Sequence, residues 1–499
     1  MIRARSAPWA LAMAALMAVG CEGATTATGP TRAALVPTSP LSRTREEPFR
    51  AAQIPREPRR EWTPPTVVQW TLRNGMPVYF LPRRGSGLVS FEYINRRAGN
   101  RDNRTGPTLP WIFALMLGRG TLSRPSTRHA DELASFGAEL STRCYASGLY
   151  TSVSVEPRSA ARAATLLADA IVAPDLSESE FRRARERLFA ARMSFSGSVA
   201  AHEIALWALF EPTHALARPE AGTASEINAV THAELLSFAR QRIVPAHSGL
   251  SVAGDIDEAT LRAALDESFG RWTVEGSTAI DRAPRHTPPP RRARAWTVYD
   301  RDLAEDNAEV LVAYPLPALL DQDFAPALLL DYIVGAASGR INRTLREQQN
   351  ITYGAHSLLN INLQGGFGIA STTVREELVP EAIDGIFDGI ERLRRRPPSR
   401  AELEAARERA RGDFFAGFES VSNLAEIGAT LFAYELGTDS WTRHLTAIDA
   451  VTPAAVQHVA LEYLSPDRVA VAIIGDAAAF ARPLVTVART NLVFVTHRP

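Results

Sequence analysis

Lysine is absent. All 55 basic residues are arginine, and 55 acidic residues balance them. The uniform choice of arginine reads as coding bias and carries no function. The balance excludes binding to nucleic acid or an acidic membrane through the overall field. Cysteine is nearly absent too: Cys21 and Cys144 are the only two, which rules out a disulfide framework and a thiolate zinc cluster. Ten histidines are scattered so that no two lie three or four apart, and no helical turn offers a histidine pair to a metal. His202-Glu203 reads as part of an ordinary helix. No P-loop, dinucleotide fingerprint or G-x-S-x-G elbow occurs in a supporting strand–turn–helix context. Beyond the N-terminus, no segment reads as long and apolar enough to cross a membrane.

What is present is an ordinary globular composition, 45% hydrophobic and 22% charged over 499 residues. This length suits roughly two to four domains, each with its own core. Arg3 and Arg5 precede an apolar run from Trp9 to Gly20 that ends Ala18-Val19-Gly20-Cys21. A basic start, a short apolar core and small residues at the cut make a secretory signal over residues 1–20. The cysteine after small residues resembles a bacterial lipobox, which assigns Cys21 as a lipidated N-terminus on the periplasmic side of the cell envelope. Ala18 stands where Leu is commoner, so cleavage by the ordinary signal peptidase is the alternative. Residues 21–61, rich in Thr, Ala, Pro and Arg, read as a tether.

A second Pro/Arg-rich stretch, 274–294, separates residues 62–273 from 295–499. The two blocks are similar in length, and they repeat. Val230-Thr231-His232-Ala233 opens a segment that closes on Gly254-Asp255. Val451-Thr452-Pro453-Ala454 opens another that closes on Gly475-Asp476, at a constant offset of 221. Each spells a helix stopped near a proline, a short buried strand and a Gly-Asp turn. Upstream, Ser177 to Arg187 mirrors Ser399 to Arg409 at an offset of 222.

Each half mixes helix and strand. Val67–Pro82 reads as a hairpin around Asn74-Gly75, followed by strand Leu88–Asn95. Helices are expected over 108–118, 128–136, 158–173 and 177–195, with strands near 139–156. The helix from 177 would place Phe181, Ala184, Leu188, Ala191 and Phe195 on one face. The second half repeats this order: strand Ala308–Tyr314, helices Phe324–Gly335 and Arg340–Gln349, and paired strands over 353–374. Helices then follow at 377–395, 399–419, 421–436 and 440–463. The expected class is α+β: two homologous domains, each a mostly antiparallel sheet covered by helices.

Several of these residues together resemble a known family. Leu72-Arg73-Asn74-Gly75-Met76, Ala98-Gly99-Asn100-Arg101-Asp102, Gly118-Arg119-Gly120-Thr121 and Phe136-Gly137-Ala138 resemble the N-terminal domain of the pitrilysin/insulinase zinc peptidases, including mitochondrial processing peptidase. In the second half, Ser338 to Arg343, Leu345-Arg346-Glu347, Thr352-Tyr353-Gly354-Ala355 and Gly365-Gly366-Phe367-Gly368 resemble that family's C-terminal domain. The resemblance covers roughly 62–480 and implies the insulinase-like metallohydrolase fold.

It also implies where a zinc site would sit, and the site is missing. Active members carry H-x-x-E-H before the Gly-Thr, two histidines holding zinc and the glutamate activating a water. Here those positions read Trp111-Ile112-Phe113-Ala114-Leu115. The third ligand, a glutamate late in a following helix, falls in Ala190-Ala191-Arg192-Met193. No catalytic residue and no metal ligand is therefore assigned to this chain, and any zinc is expected in a partner. Arg346 and Tyr353 match an Arg/Tyr pair that faces the zinc across the substrate in the family. A guanidinium can hold a substrate carbonyl and a phenol can hydrogen-bond a developing oxyanion. Read without the family, Arg346 caps a helix or pairs with an acid, and Tyr353 packs half-buried on a strand. Gly365-Gly366 reads as a bulge or turn, or as a place where a peptide backbone approaches an edge strand.

Some bacterial relatives divide the work between a zinc-bearing chain and one that supplies the Arg/Tyr pair. The resemblance thus implies a non-catalytic subunit of an exported two-chain zinc peptidase. Its partners would be a homologous zinc-bearing subunit, an unfolded peptide and, through the N-terminal lipid, a membrane, with no nucleic acid. The alternative is a peptide-binding or scaffold protein of the same fold with no peptidase role.

Overall fold

Asn74-Gly75 sets the first turn. Gly75 takes a φ of +86° that a side chain would disfavour, and Asn74 Nδ2 donates to the carbonyls of Phe269 and Trp272 at 2.9 and 3.0 Å. The turn joins β1 (Val68–Thr71) to β2 (Pro77–Pro82) as an antiparallel hairpin. The computed structural model describes residues 62–99, 106–194, 197–211, 214–274, 295–300, 307–363, 365–465, 468–480 and 493–494. The signal, the tether up to residue 61, Cys21, Phe195 and residues 275–294 of the inter-half stretch lie outside the described residues.

The hairpin opens a six-stranded sheet with β3 (Val89–Asn95), β4 (Ser141–Tyr145), β5 (Gly148–Val155) and β6 (Ser248–Gly254). Its order is β1-β2-β6-β3-β5-β4, antiparallel throughout except for β2 against β6. The second half builds another with β7 (Ala295–Asp300), β8 (Asn307–Leu316), β9 (Ala355–Asn362), β10 (Gly365–Arg375), β11 (Ala470–Gly475) and β12 (Val493–Phe494). The order β12-β7-β11-β8-β10-β9 matches the first position by position, with β6 and β11 in the same central place. One edge differs. β1 is a local hairpin strand, whereas β12 comes from the C-terminal end and runs parallel to β7.

The helices of the first half are α1 (Thr108–Met116), α2 (Ser126–Ala134), α3 (Ala160–Val172), α4 (Glu178–Met193), α5 (Gly197–Leu209), α6 (Ala224–Ala229), α7 (His232–Arg242) and α8 (Glu258–Glu267). Those of the second are α9 (Phe324–Gly335), α10 (Val379–Arg395), α11 (Arg400–Ala416), α12 (Val421–Ala433), α13 (Ser440–Ala450) and α14 (Pro453–Tyr463). The repeat is visible in the caps: Thr231 and Thr452 each accept a backbone N–H at the start of α7 and α14.

Three local expectations need correction. The stretch 440–463 is two helices, because Pro453 lacks an N–H and starts α14 at its first position. Arg340–Gln349 is not one α-helix but a turn at Arg340–Asn342 followed by a π-helix, Arg343–Gln348. On α4, Phe181, Ala184 and Leu188 are buried, but Ala191 is exposed. By length and composition the helical stretch Phe324–Gln348 could also cross a membrane. Its apolar window is 67% buried, however, against α11, α14 and β9, so apolar character here serves the core.

The core of the first half lies between one face of its sheet and α1, α3, α4, α7 and α8, with Phe91, Tyr93, Phe113 and Phe269 fully enclosed. The other face is covered from across the chain. Helix α12 of the second half lies over β2, β3 and β6. Helix α5 of the first half lies over β7, β8 and β11, its Ala201, Ala205 and Leu209 sharing a core with Leu311, Phe367 and Ile474. Each half thus lends one helix to the other's sheet. The approach is close: a Cβ on Gly428 of α12 would fall 2.2 Å from Ser251 Oγ, and one on Gly249 of β6 would fall 2.9 Å from the Phe432 ring.

Candidate functional site

Helix α1 packs against α4, β4 and α7. Ile112 and Phe113 anchor it in the core, 0% and 1% exposed, with Ala114 buried beside them. Trp111 and Leu115 lie partly buried against the same core, and the Trp111 indole N–H is buried with no acceptor. At the end of α4, Ala190 and Ala191 are exposed, and Arg192 is bonded to Glu203 of α5 at 2.6 Å. The side chains at the aligned positions, an indole, a methyl, an isobutyl group and a guanidinium, include none able to hold a divalent cation or take a proton. Among the described residues no cluster of three or more His, Cys, Asp or Glu is arranged to hold a metal. Zinc does not fit here, and no chemistry through it is assigned to this chain.

Arg346 and Tyr353 belong to a different environment. The π-helix that carries Arg346 is pinned from below: Leu345 is fully buried, and Thr344 accepts from Arg392 of α10 at 2.9 Å. The wide turn closes with Gln349 N–H to Thr344 O at 3.0 Å, and Asn350 then takes a left-handed φ of +56°. Short π segments and left-handed non-glycine residues both need support from their surroundings. That support continues through Thr352, whose hydroxyl lies 2.8 Å from Thr373 O and accepts from Gly354 N–H at 3.1 Å. Asn342 adds its Oδ1, accepting from Ala355 N–H at 3.1 Å. On this frame Arg346 is exposed and Tyr353 is 100% exposed. Neither makes a hydrogen bond or ion pair among the described residues. The helix-cap and half-buried readings of these two side chains therefore do not describe them.

Gly365 and Gly366 lie in β10, between β8 and β9, so they flank no free edge. A Cβ on Gly366 would fall 2.7 Å from Ile361 Cγ1 and 2.9 Å from Pro317 O. The smallness of Gly366 serves packing within the sheet, Gly365 takes a φ of +140° at the start of β10, as a turn residue does, and the strand with an open side here is β9.

The profile of the peptidase M16 inactive domain matches residues 229–410. Curated relatives include proteins named as uncharacterized zinc proteases. One from Mycobacterium tuberculosis is 27% identical over 269 residues, 52% of this chain and 59% of that protein. One from Streptomyces coelicolor is 24% identical over 270 residues, covering 52% and 57%. The chain thus spans less than two thirds of these relatives. Among solved structures, a peptidase M16 inactive domain from Pseudomonas fluorescens superposes with a TM-score of 0.72 at 18% identity, over 82% of this chain and 98% of that one. A protease from Helicobacter pylori gives 0.74 at 17%, over 82% and 100%. Residues 229–410 are thus similar to the M16, or pitrilysin/insulinase, inactive domain, and the fold is that of solved M16 peptidase-like structures.

The chain lacks the zinc motif at the aligned positions, and its fold is the paired α+β arrangement of the M16-like structures it matches. One polar group escaped the sequence reading. Glu92 of β3, Arg143 of β4 and Glu426 of α12 meet in the covered face of the first sheet. The signal was Glu92 itself, a charge inside the strand Ser90-Phe91-Glu92-Tyr93-Ile94, which alternation alone assigns to solvent.

Proposed function

We propose that this chain is the non-catalytic subunit of an exported two-chain zinc peptidase, giving the Arg346/Tyr353 pair and half of a peptide chamber to a homologous zinc-bearing partner. The observation that carries the reading is the pinned frame with two partnerless side chains. Holding a frame that presents an exposed arginine and tyrosine, without internal bonds among the described residues, brings no stability through those two side chains, so their presentation is best explained by what approaches from outside. Arg346 offers rigid donors to a carbonyl of an extended peptide. Tyr353 offers one phenolic donor to oxygen that gains negative charge during cleavage. Water is excluded only when the partner covers them. The replacement of all the zinc-site groups in α1 and α4 supports the division of labour.

The test is to purify the chain alone, with a zinc-bearing homologue from the same source, and the homologue alone. Metal content and cleavage of unfolded peptides are then measured. Mixing should raise cleavage above that of the homologue alone. If mixing adds nothing while peptide still binds this chain, the peptide-binding scaffold is the correct function. Stoichiometric zinc and cleavage by this chain alone would overturn both. Export and anchoring at Cys21 belong to the same proposal. Cys21→Ser should release the protein from the membrane fraction and remove the lipid mass from its N-terminal peptide.

A further inference from the structure

The Glu92–Arg143–Glu426 cluster joins the two halves and is short of positive charge. Arg143 Nη2 donates to both oxygens of Glu92, at 2.9 and 2.8 Å, and lies 3.6 Å from Glu426 Oε2. Glu92 is 1% exposed and Glu426 9%. One guanidinium faces two buried carboxylates. The Arg143 Nε is buried without an acceptor, so even this one cation is not fully used by its neighbours.

Among the described residues, Arg143 is the cation paired with these carboxylates. The electrostatic neighbours of Glu92 and Glu426 besides Arg143 are Tyr145 on β4, Tyr150 on β5 and Tyr434 just beyond α12. Of the strands under α12, β6 carries no titratable side chain, and β2 carries Tyr79, whose charged neighbour is Arg96. Arg96 itself is committed to Glu435 at 3.1 Å. A second buried carboxylate charge without its own cation is strongly unfavourable, so the pair keeps a proton. Titration then belongs to the pair rather than to either residue.

We propose that this cluster is a proton-dependent clasp between the two halves: it holds α12 on the first sheet while the carboxylate pair keeps its proton, and loosens that contact when the proton leaves. The position suits a clasp. α12 is the helix the second half lends to the first sheet, and Arg143 stands on β4, the outer strand of that sheet, with its side chain 27% exposed. Water can therefore reach the group without unfolding either core. Burial, only partly opposed by Arg143, pushes Glu92 up to about 8, and burial raises Glu426 as well. A carboxyl raised in the folded state holds a proton that the unfolded chain releases near its ordinary value. Its contribution is whole below about 4.5 and is lost as pH rises toward about 8. The clasp is tightest in acid and weakest in mild alkali.

Amide hydrogen exchange on the full-length chain tests this, with rates at about pH 6 and pH 9 divided by the intrinsic rate at each pH. Protection of Val421–Ala433 and Val89–Asn95 should fall about tenfold or more relative to Ala160–Val172, which packs on the opposite face; tenfold corresponds to one pKa unit of coupling. In Glu426→Gln, which keeps the shape and removes the second charge, that relative fall should vanish. Equal loss of protection in all three segments of the wild type would overturn the clasp. So would a fall that persists in Glu426→Gln. Should Glu426→Gln fail to fold, Glu92→Gln is read in the same way, and the wild-type ratio alone still decides.

Discussion

Arg96 and Glu435 form an ion pair across the two halves, and Glu435 makes it from a backbone conformation that ordinarily belongs to glycine. Its φ is +54°, just past the end of α12, with Leu436 N–H returning to Leu431 O at 2.8 Å. This is the left-handed C′ position of a Schellman ending. The carboxylate reaches Arg96 at 3.1 Å while the guanidinium lies over the Phe432 ring at 4.7 Å. Replacing Glu435 separates backbone from side chain. Glu435→Gly loses the pair but relieves the strain, and should leave stability within about 1 kcal/mol of wild type. Glu435→Ala keeps the strain and loses the pair, so urea unfolding should place it about 1 kcal/mol below the glycine variant.

The close seat of α12 predicts a larger effect about two turns earlier. A methyl on Gly428 would meet Ser251 Oγ at 2.2 Å and Leu81 Cδ1 at 2.6 Å. The helix must therefore lift from β6. Gly428→Ala should destabilise by about 1–3 kcal/mol, the usual range for overpacking, despite the better helix propensity of alanine. Increased proteolysis between the halves in this variant, with both cores still cooperative, would place the damage at the shared contact.

The same contact explains what the sequence could and could not tell. Local chemistry was legible: Asn74-Gly75 makes the first turn, and the offset of 221 superposes β6 on β11 in matching sheets. The split at Pro453 was missed because apolar spacing continues across Thr452, although a proline at the first helical position was there to read. The exchange of α5 and α12 was beyond a local reading. Each covers strands far from it in the chain, and its small residues, Ala201 and Ala205 or Gly428 and Ala429, equally suit packing within its own half. With that exchange unseen, nothing in the local pattern marks Glu92 as a buried charge. The zinc-site positions were legible because they lie a fixed distance before Gly120-Thr121 in sequence. That Arg346 and Tyr353 lack internal partners was not, since this depends on how a π-turn and Asn350 present them.

Acid should weaken the second half through His444. The imidazole is buried beside Phe324 and Phe414, with ring centroids 5.7 and 5.4 Å away, and burial pushes its pKa down to about 3. The unfolded chain takes up this proton near 6.5, so the stability is whole above that value and is lost as pH falls toward about 3. Arg340, bonded to Glu402 at 2.9 Å, helps hold that carboxyl at about 2, which adds a loss between about 4.5 and 2. His444→Phe removes the first loss and leaves the second. Its acid unfolding midpoint should move to lower pH, with an unchanged slope below about 3 if the imidazole is the only group altered.

Arg346 and Tyr353 give the sharpest separation of stability from function. Both are exposed and make no internal bond among the described residues, so Arg346→Ala and Tyr353→Phe should each leave the unfolding free energy within about 0.5 kcal/mol of wild type. With a zinc-bearing partner present, each should lower peptide cleavage by about 10²–10³, the range for one lost oxyanion donor. Arg346→Lys should recover little, because a single ammonium cannot reproduce the planar fork of a guanidinium. If the two residues act on the same substrate atoms, the double variant should cost less than the sum of the singles. Full activity in the single variants, at unchanged stability, would mean that the pinned frame supports some contact other than substrate.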